Sequence, residues 1–371
     1  MLPRLLFFLA LSVPVAGAHA ATLDDVLERL RGEIAAQPID EPMPIDKVLA
    51  RYQDETLHWF ELPVEPDADA APTPPARPQH VAPADWEAVL HFLQADDPQR
   101  ERPVELGGLS LALADLDDDG HNDLLLSYYS GGTGLFSTIE VGRRHGDTFV
   151  FAGSDGTEGP RSYSINGRGG DQAVYFLRID GRRHVGYRDG DYHGDLLTLD
   201  RPLSADPAER TPSHALRIDY RHRHRLAAPA GESPPADEAQ RAILQDRQLL
   251  AAIERQLALL QFDDDGRQIA PDPGQRCPVP ADSAIDGDTR WQWPWRFAGH
   301  YTFDFVADMR VESGGRCLGA SLVAFRSSYM ASYENCCQLW LFDAPGEQAT
   351  SLELRSERRL HRVEIVPAGA G

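Results

Sequence analysis

The stretch Asp115-Leu116-Asp117-Asp118-Asp119-Gly120-His121-Asn122-Asp123 constrains this chain more than any other, and it reads D-x-D-x-D-G-x-x-D. Asp115, Asp117 and Asp119 offer side-chain oxygens at every second position, Gly120 permits a sharp turn, the carbonyl of His121 can point inward, and Asp123 closes the shell. That spacing wraps hard oxygen ligands around one cation, and Ca2+ is the expected ion. The competing reading is a solvated acidic turn, in which the like charges would repel one another without compensation.

The flanks separate this loop from a helix–loop–helix calcium hand. That hand needs a glutamate at its twelfth position, where this chain has Leu126. Leu109 to Ala114 before the loop and Leu124 to Tyr129 after it are short apolar runs that suit buried strands. The prediction is a strand–calcium loop–strand unit.

At these residues, Ala114-Asp115 through Asp123-Leu124-Leu125-Leu126, the chain resembles the FG-GAP or VCBS-type calcium-binding repeat. Gly131-Gly132-Thr133-Gly134, Leu135-Phe136, Ile139 to Val141 and Phe149-Val150-Phe151 are similar to the later strands of such a repeat. The resemblance spans residues 106 to about 152. In the family these repeats are blades of calcium-stabilised β-propellers in extracellular adhesion and binding proteins, and they also accompany hydrolases. A single clear repeat is too few for a propeller, so the resemblance implies the calcium loop and its strands rather than a whole fold.

The N-terminus reads as a secretory signal peptide over residues 1–20. Arg4 supplies the charge, Leu5 to Val15 the apolar core, and Ala18-His19-Ala20 the cleavage site. Beyond it no apolar run approaches the ~18 residues that a transmembrane helix needs. The expected location is the periplasm or the exterior. A formal charge of −22 argues against nucleic acid or anionic lipid as a partner reached through the overall field. Nearly all basic residues are Arg, with Lys47 the lone Lys.

The cysteines fall late, at Cys277, Cys317, Cys336 and Cys337. In an exported chain an even count suggests disulfides. A Cys336–Cys337 bond would distort the peptide joining them, so Cys277 and Cys317 are expected to pair with that adjacent couple, in either order. Zinc is the weaker reading, because no C-x-x-C spacing is completed.

The fold class expected is α+β: a β-rich central domain with the calcium loop between strands, flanking helices, and a disulfide-containing C-terminal β-rich region. Residues 21–60 read as helical, with Thr22 as cap and Leu23, Val26, Leu27 and Leu30 on one face. Residues 61–84 form a Pro/Ala/Asp-rich linker. The β-rich domain covers 85–226, opening on a short helix with Trp86, Val89, Leu90 and Phe92, and containing a hairpin at Asp180-Gly181. A linker at 227–237 leads to a long helix over 238–262, with Ile243, Leu250, Ile253, Leu257 and Leu260 at heptad-like spacing. Residues 263–371 form the cysteine-containing β-rich region.

Catalytic residues cannot be named from sequence. There is no G-x-S-x-G, H-E-x-x-H or P-loop. His222 and His224 within Arg221-His222-Arg223-His224-Arg225 share a strand face and could hold zinc, but a basic exposed edge strand is the plainer expectation. Trp291, Trp293 and Trp295 alternate and would stack on sugar if exposed, or form core if buried. Asp263-Asp264-Asp265-Gly266 lacks outer ligands, Asp189 to Asp195 suits a hairpin tip, and Asp286-Gly287-Asp288 suits a turn. The expected function is calcium-stabilised binding or scaffolding, with a carbohydrate or an envelope protein as partner. The alternative is an extracytoplasmic hydrolase of polysaccharide or phosphoester with structural calcium.

Overall fold

The computed structural model describes residues 21–62, 75–94, 109–131, 136–151, 162–166, 171–227, 238–263, 268–269, 303–325, 337–342 and 350–368. The expected signal peptide, Trp291, Trp293, Trp295, Cys277, Cys336, the Asp286-Gly287-Asp288 turn, residues 63–74 of the first linker and 228–237 of the second lie outside these residues. So do residues 264–267 of the second acidic cluster. The protein is β-rich, with two antiparallel sheets and few helices.

The chain begins with α1 (Leu23–Ala35), capped as the sequence predicts. Thr22 Oγ1 accepts from the backbone N–H of Asp25, and the Asp25 carboxylate accepts from that of Thr22. Such a cap contributes about 1 kcal/mol. Burial decides more: Leu23, Val26, Leu27, Leu30 and Ile34 are buried, each contributing about 1.5–3 kcal/mol. After α2 (Pro44–Leu49) and a short 3-10 turn, residues read as helical or linker instead form strand β1 (Phe60–Leu62). Its pairing partner is β2 (Leu109–Ala114), distant in sequence. Helix α3 (Pro83–Gln94) buries Trp86, Val89 and Phe92.

The first sheet continues with β3 (Asp123–Gly131), β4 (Phe136–His145), β5 (Thr148–Phe151) and β6 (Ser162–Asn166). Its order is β1-β2-β3-β4-β5, with β6 also on β4. The predicted strands on either side of the acidic loop pair directly, from Ala114↔Asp123 to Ser110↔Ser127.

The second sheet starts with β7 (Asp171–Ile179), β8 (Arg182–Gly190) and β9 (Gly194–Asp200). The expected Asp-Gly hairpin joins β7 to β8, with Asp180 at φ 52° and Gly181 at φ 81°. The Asp189–Asp195 stretch is a hairpin tip, between β8 and β9. A short helix α4 (Pro207–Arg210) precedes β10 (His214–Leu226). The region expected as one long helix over 238–262 is instead α5 (Glu238–Gln245) and α6 (Arg247–Leu259). Asp246 breaks it, its carboxylate accepting from the N–H groups of Gln248 and Leu249 as an N-cap. The buried stripe of α6 is Leu249, Ala252, Ile253 and Leu257, so Leu249 takes the place expected of Leu250.

The remaining strands are β11 (Phe303–Ser313), β12 (Arg316–Phe325), β13 (Cys337–Phe342) and β14 (Thr350–Pro367). The sheet order is β11-β12-β13-β14-β10-β9-β8-β7. The sequence divisions at 226 and 263 therefore fall within one sheet, because β10 pairs with β14 along its whole length. β9 flanks β10 only over Leu216–Asp219; the basic stretch Arg221–Arg225 pairs with β14 alone, its arginines exposed as expected of a basic edge and His224 buried between them.

The layers follow from side-chain alternation. One face of the first sheet packs on α3 through Leu111, Leu124, Leu126 and Phe149. Its other face, with Ala112, Leu125, Ile139 and Val141, meets Val174, Phe176, Val185 and Tyr187 of the second sheet. On the far side of the second sheet, α1 and α2 cover Leu177, Ile179, Leu197 and Ile218, while α6 covers β11 to β13. Along β14, Leu352, Leu354, Ser356 and Arg358 are buried and the residues between them are exposed. Leu354 lies under α6, and Leu360 packs with the core under α1. One sheet face thus carries both helical layers, with a polar seam between them.

Candidate metal centre

The acidic loop connects β2 to β3. Asp115, Asp117 and Asp123 each place a carboxylate oxygen within 4.8 Å of the others. Among the described residues this is the one such group of His, Cys, Asp or Glu with ligand atoms this close. Asp118 (φ 63°) and Gly120 (φ 90°) adopt left-handed backbone that wraps the loop. Asp115 accepts from the N–H groups of Asp119 and Gly120 at 3.1 and 3.0 Å.

The residues expected as ligands divide. Asp115, Asp117 and Asp123 converge. Asp119 lies outside the group; its carboxylate accepts from the N–H of His121 at 2.8 Å, closing a local turn. His121 is exposed beside it.

Asp123 is buried at 1% exposure. Its oxygens accept from the N–H groups of Leu116 and Arg144, both at 2.9 Å. Burial pushes its carboxyl up to about 7, the Asp117 and Asp119 charges add to that, and the two N–H donors oppose it. Asp117 is also raised, by burial and then by Asp119, against Arg143 at 3.4 Å. Such a set of partly buried carboxylates favours a positive charge among them. Three side-chain carboxylates are hard ligands of the kind that hold Ca2+.

The loop is anchored across the sheet interface. Arg183 on β8 donates to the Asp115 carbonyl at 2.9 Å and to the Asp54 carboxylate at 2.6 Å. Arg201, just after β9, donates to Asp118 at 2.5 Å and to Glu209 at 2.7 Å. Leu116 packs into the core shared by both sheets. Arg201 and Arg183 carried no signal in the sequence, because their partners lie in distant segments.

His222 and His224 face the polar seam. His222 Nε2 lies 2.7 Å from the Tyr192 carbonyl oxygen, so it carries the proton and donates; Nδ1, at 2.7 Å from Ser356 Oγ, then accepts. The Tyr192 hydroxyl bonds His224 Nε2, and its ring stacks on His222 at 3.9 Å between centroids. Burial holds both histidines neutral, His222 well below its ordinary value and His224 at about 4. Both nitrogens of His222 are thus engaged, and among the described residues no group of three metal-ligating side chains forms around the pair. Beside them, Asp195 takes Arg358 at 3.0 Å and the Tyr220 hydroxyl at 2.5 Å. Arg358 stacks 3.3 Å over the Tyr220 ring.

A cleft of about 780 Å³ opens at this end of β10, lined in part by Tyr192, His193, Tyr220, His222, Phe262 and His361. Ser356 is buried and does not line it, so the Ser356–His222 pair presents no nucleophile to the cleft. Of the cysteines described, neither Cys317 nor Cys337 is a free thiol. No helix among the described residues is long and apolar enough to cross a membrane. No family model, curated protein or solved structure matches this chain.

Proposed function

We propose that this chain is an exported calcium-binding protein in which Ca2+ stabilises a β-domain used for binding or scaffolding. The observation that carries this reading is the convergence of Asp115, Asp117 and Asp123 on a loop that Arg183 and Arg201 tie to the second sheet. Bound there, the cation would offset the repulsion among the carboxylates. The loop would then hold two sheets in register, and with them the surfaces they carry. The strand–loop–strand pairing also accords with an FG-GAP or VCBS-like unit. The N-terminal sequence supports export, and the cysteines support disulfides formed in an oxidising compartment.

The test is calorimetric titration of the metal-depleted protein with CaCl2 and with MgCl2. The expected result is one site that prefers Ca2+, absent from Asp115→Asn/Asp123→Asn while the circular dichroism spectrum is kept. Folded wild-type protein that takes up no Ca2+ would overturn the reading.

A further inference from the structure

The cleft beside β10 holds a buried group whose hydrogen-bonding capacity the folded chain does not use up. Asp195 lines it, with a side chain 1% exposed. Arg358 and the Tyr220 hydroxyl both donate to Oδ2. Oδ1 accepts no hydrogen bond among the described residues, and Arg188 Nη1 stands 3.7 Å from it, beyond hydrogen-bond reach. Gly190, directly opposite on β8, makes room for this oxygen, since a Cβ there would collide with it. A buried acceptor without a donor is costly, so Oδ1 calls for a donor from outside the chain.

The rest of the lining carries both signs of charge. Asp189, Asp191 and Asp263 are exposed along it, as is Arg221, while Arg217 is half-buried beside Asp219. An anionic ligand would meet the three aspartates, in a chain whose formal charge is −22. A cationic one would meet Arg217 and Arg221 and, behind Asp195, the Arg358 and Arg188 guanidinium groups. Hydroxyl groups carry no charge and both donate and accept hydrogen bonds, so they suit this lining better than an ion of either sign. Another part of the wall is apolar: Phe262 is half-buried and Ile269 is 49% exposed.

We propose that this cleft binds a neutral carbohydrate. A sugar ring is hydroxyl-bearing at its rim and apolar on its C–H face, and the cleft offers a partner to each. One hydroxyl donates to Asp195 Oδ1, others meet the mixed carboxylate, guanidinium and imidazole lining, and the C–H face lies on the Phe262 ring. The cleft volume of about 780 Å³ falls in the range of sites that enclose small ligands. The inference names a ligand class for the binding role proposed above and rests on that role. It does not rest on the cation, whose loop lies on other strands.

The experiment screens the full mature protein on an array of neutral gluco-, manno-, xylo- and N-acetylchito-oligosaccharides. Oligogalacturonates and chitosan oligomers serve as anionic and cationic comparators. The neutral glycan retained best is then titrated by calorimetry. The expected result is retention of neutral glycans, with affinity about tenfold or more weaker in Phe262→Ala and the circular dichroism spectrum kept. Should that variant fail to fold, His193→Ala, in the same lining, gives the same reading. No neutral glycan retained, retention of the charged comparators alone, or unchanged affinity in the folded variant would each overturn the proposal. Calcium uptake without glycan binding would overturn this inference and leave the loop reading intact; glycan binding without calcium uptake would do the reverse.

Discussion

Arg201 donates to the Asp118 carboxylate over 2.5 Å, joining the end of β9 to the middle of the acidic loop. The arginine side chain is 3% exposed and the aspartate side chain 47%. The two ends of this bond therefore differ in consequence. Arg201→Met should destabilise the protein by about 1.5–3 kcal/mol, because it removes a buried guanidinium shared by Asp118 and Glu209, although Glu209 keeps Arg182 at 3.0 Å. Asp118→Asn should cost less than about 1 kcal/mol, as for surface pairs. Urea unfolding of both variants checks the asymmetry; equal costs would contradict it.

Asp195 sits between Arg358 and Arg188 with its side chain 1% exposed. Asp195→Asn leaves buried guanidinium groups short of their counter-charge. The expected loss is about 3–5 kcal/mol by chemical denaturation. A loss under about 1 kcal/mol would show that the seam is wetter than its burial implies.

Stability should depend on pH through His224. Its folded-state value is lowered to about 4 by burial, against about 6.5 in an unfolded chain. Between those values the unfolded state binds more protons, so stability is full above about 6.5 and falls as pH drops toward 4. His224 contributes a loss on the order of a few kcal/mol across that window, and His222, shifted the same way, adds to it. Denaturation curves at several pH values should show a shallower slope for His224→Gln. An unchanged slope would place the titration elsewhere.

What could be read from the sequence was local. The Thr22–Asp25 capping box, the Asp180-Gly181 hairpin and the strands beside the acidic loop each depend on residues within one turn or one strand pair. What could not be read was long-range. The Asp195–Arg358 bond joins residues 163 apart, and β10 takes its partner along its whole length from β14, far along the chain. Asp246 misled for the opposite reason: a heptad-like apolar pattern ran across it, and its local capping chemistry won. Within the candidate centre, Asp115, Asp117 and Asp123 were identifiable from spacing. Asp119 was not separable from them, because its turn to the His121 N–H depends on the loop's φ angles.

Thermal unfolding of the mature protein, calcium-loaded and chelated, tests the central claim most directly, with Asp117→Ala/Asp119→Ala as control. A ligand held only by the folded state at about 100 times its Kd adds roughly 3 kcal/mol, or a rise in midpoint on the order of 5 °C. The account predicts that rise in wild type and its loss in the double variant, with the chelated midpoints close together. A wild-type midpoint indifferent to calcium would contradict it and leave the acidic loop a solvated turn.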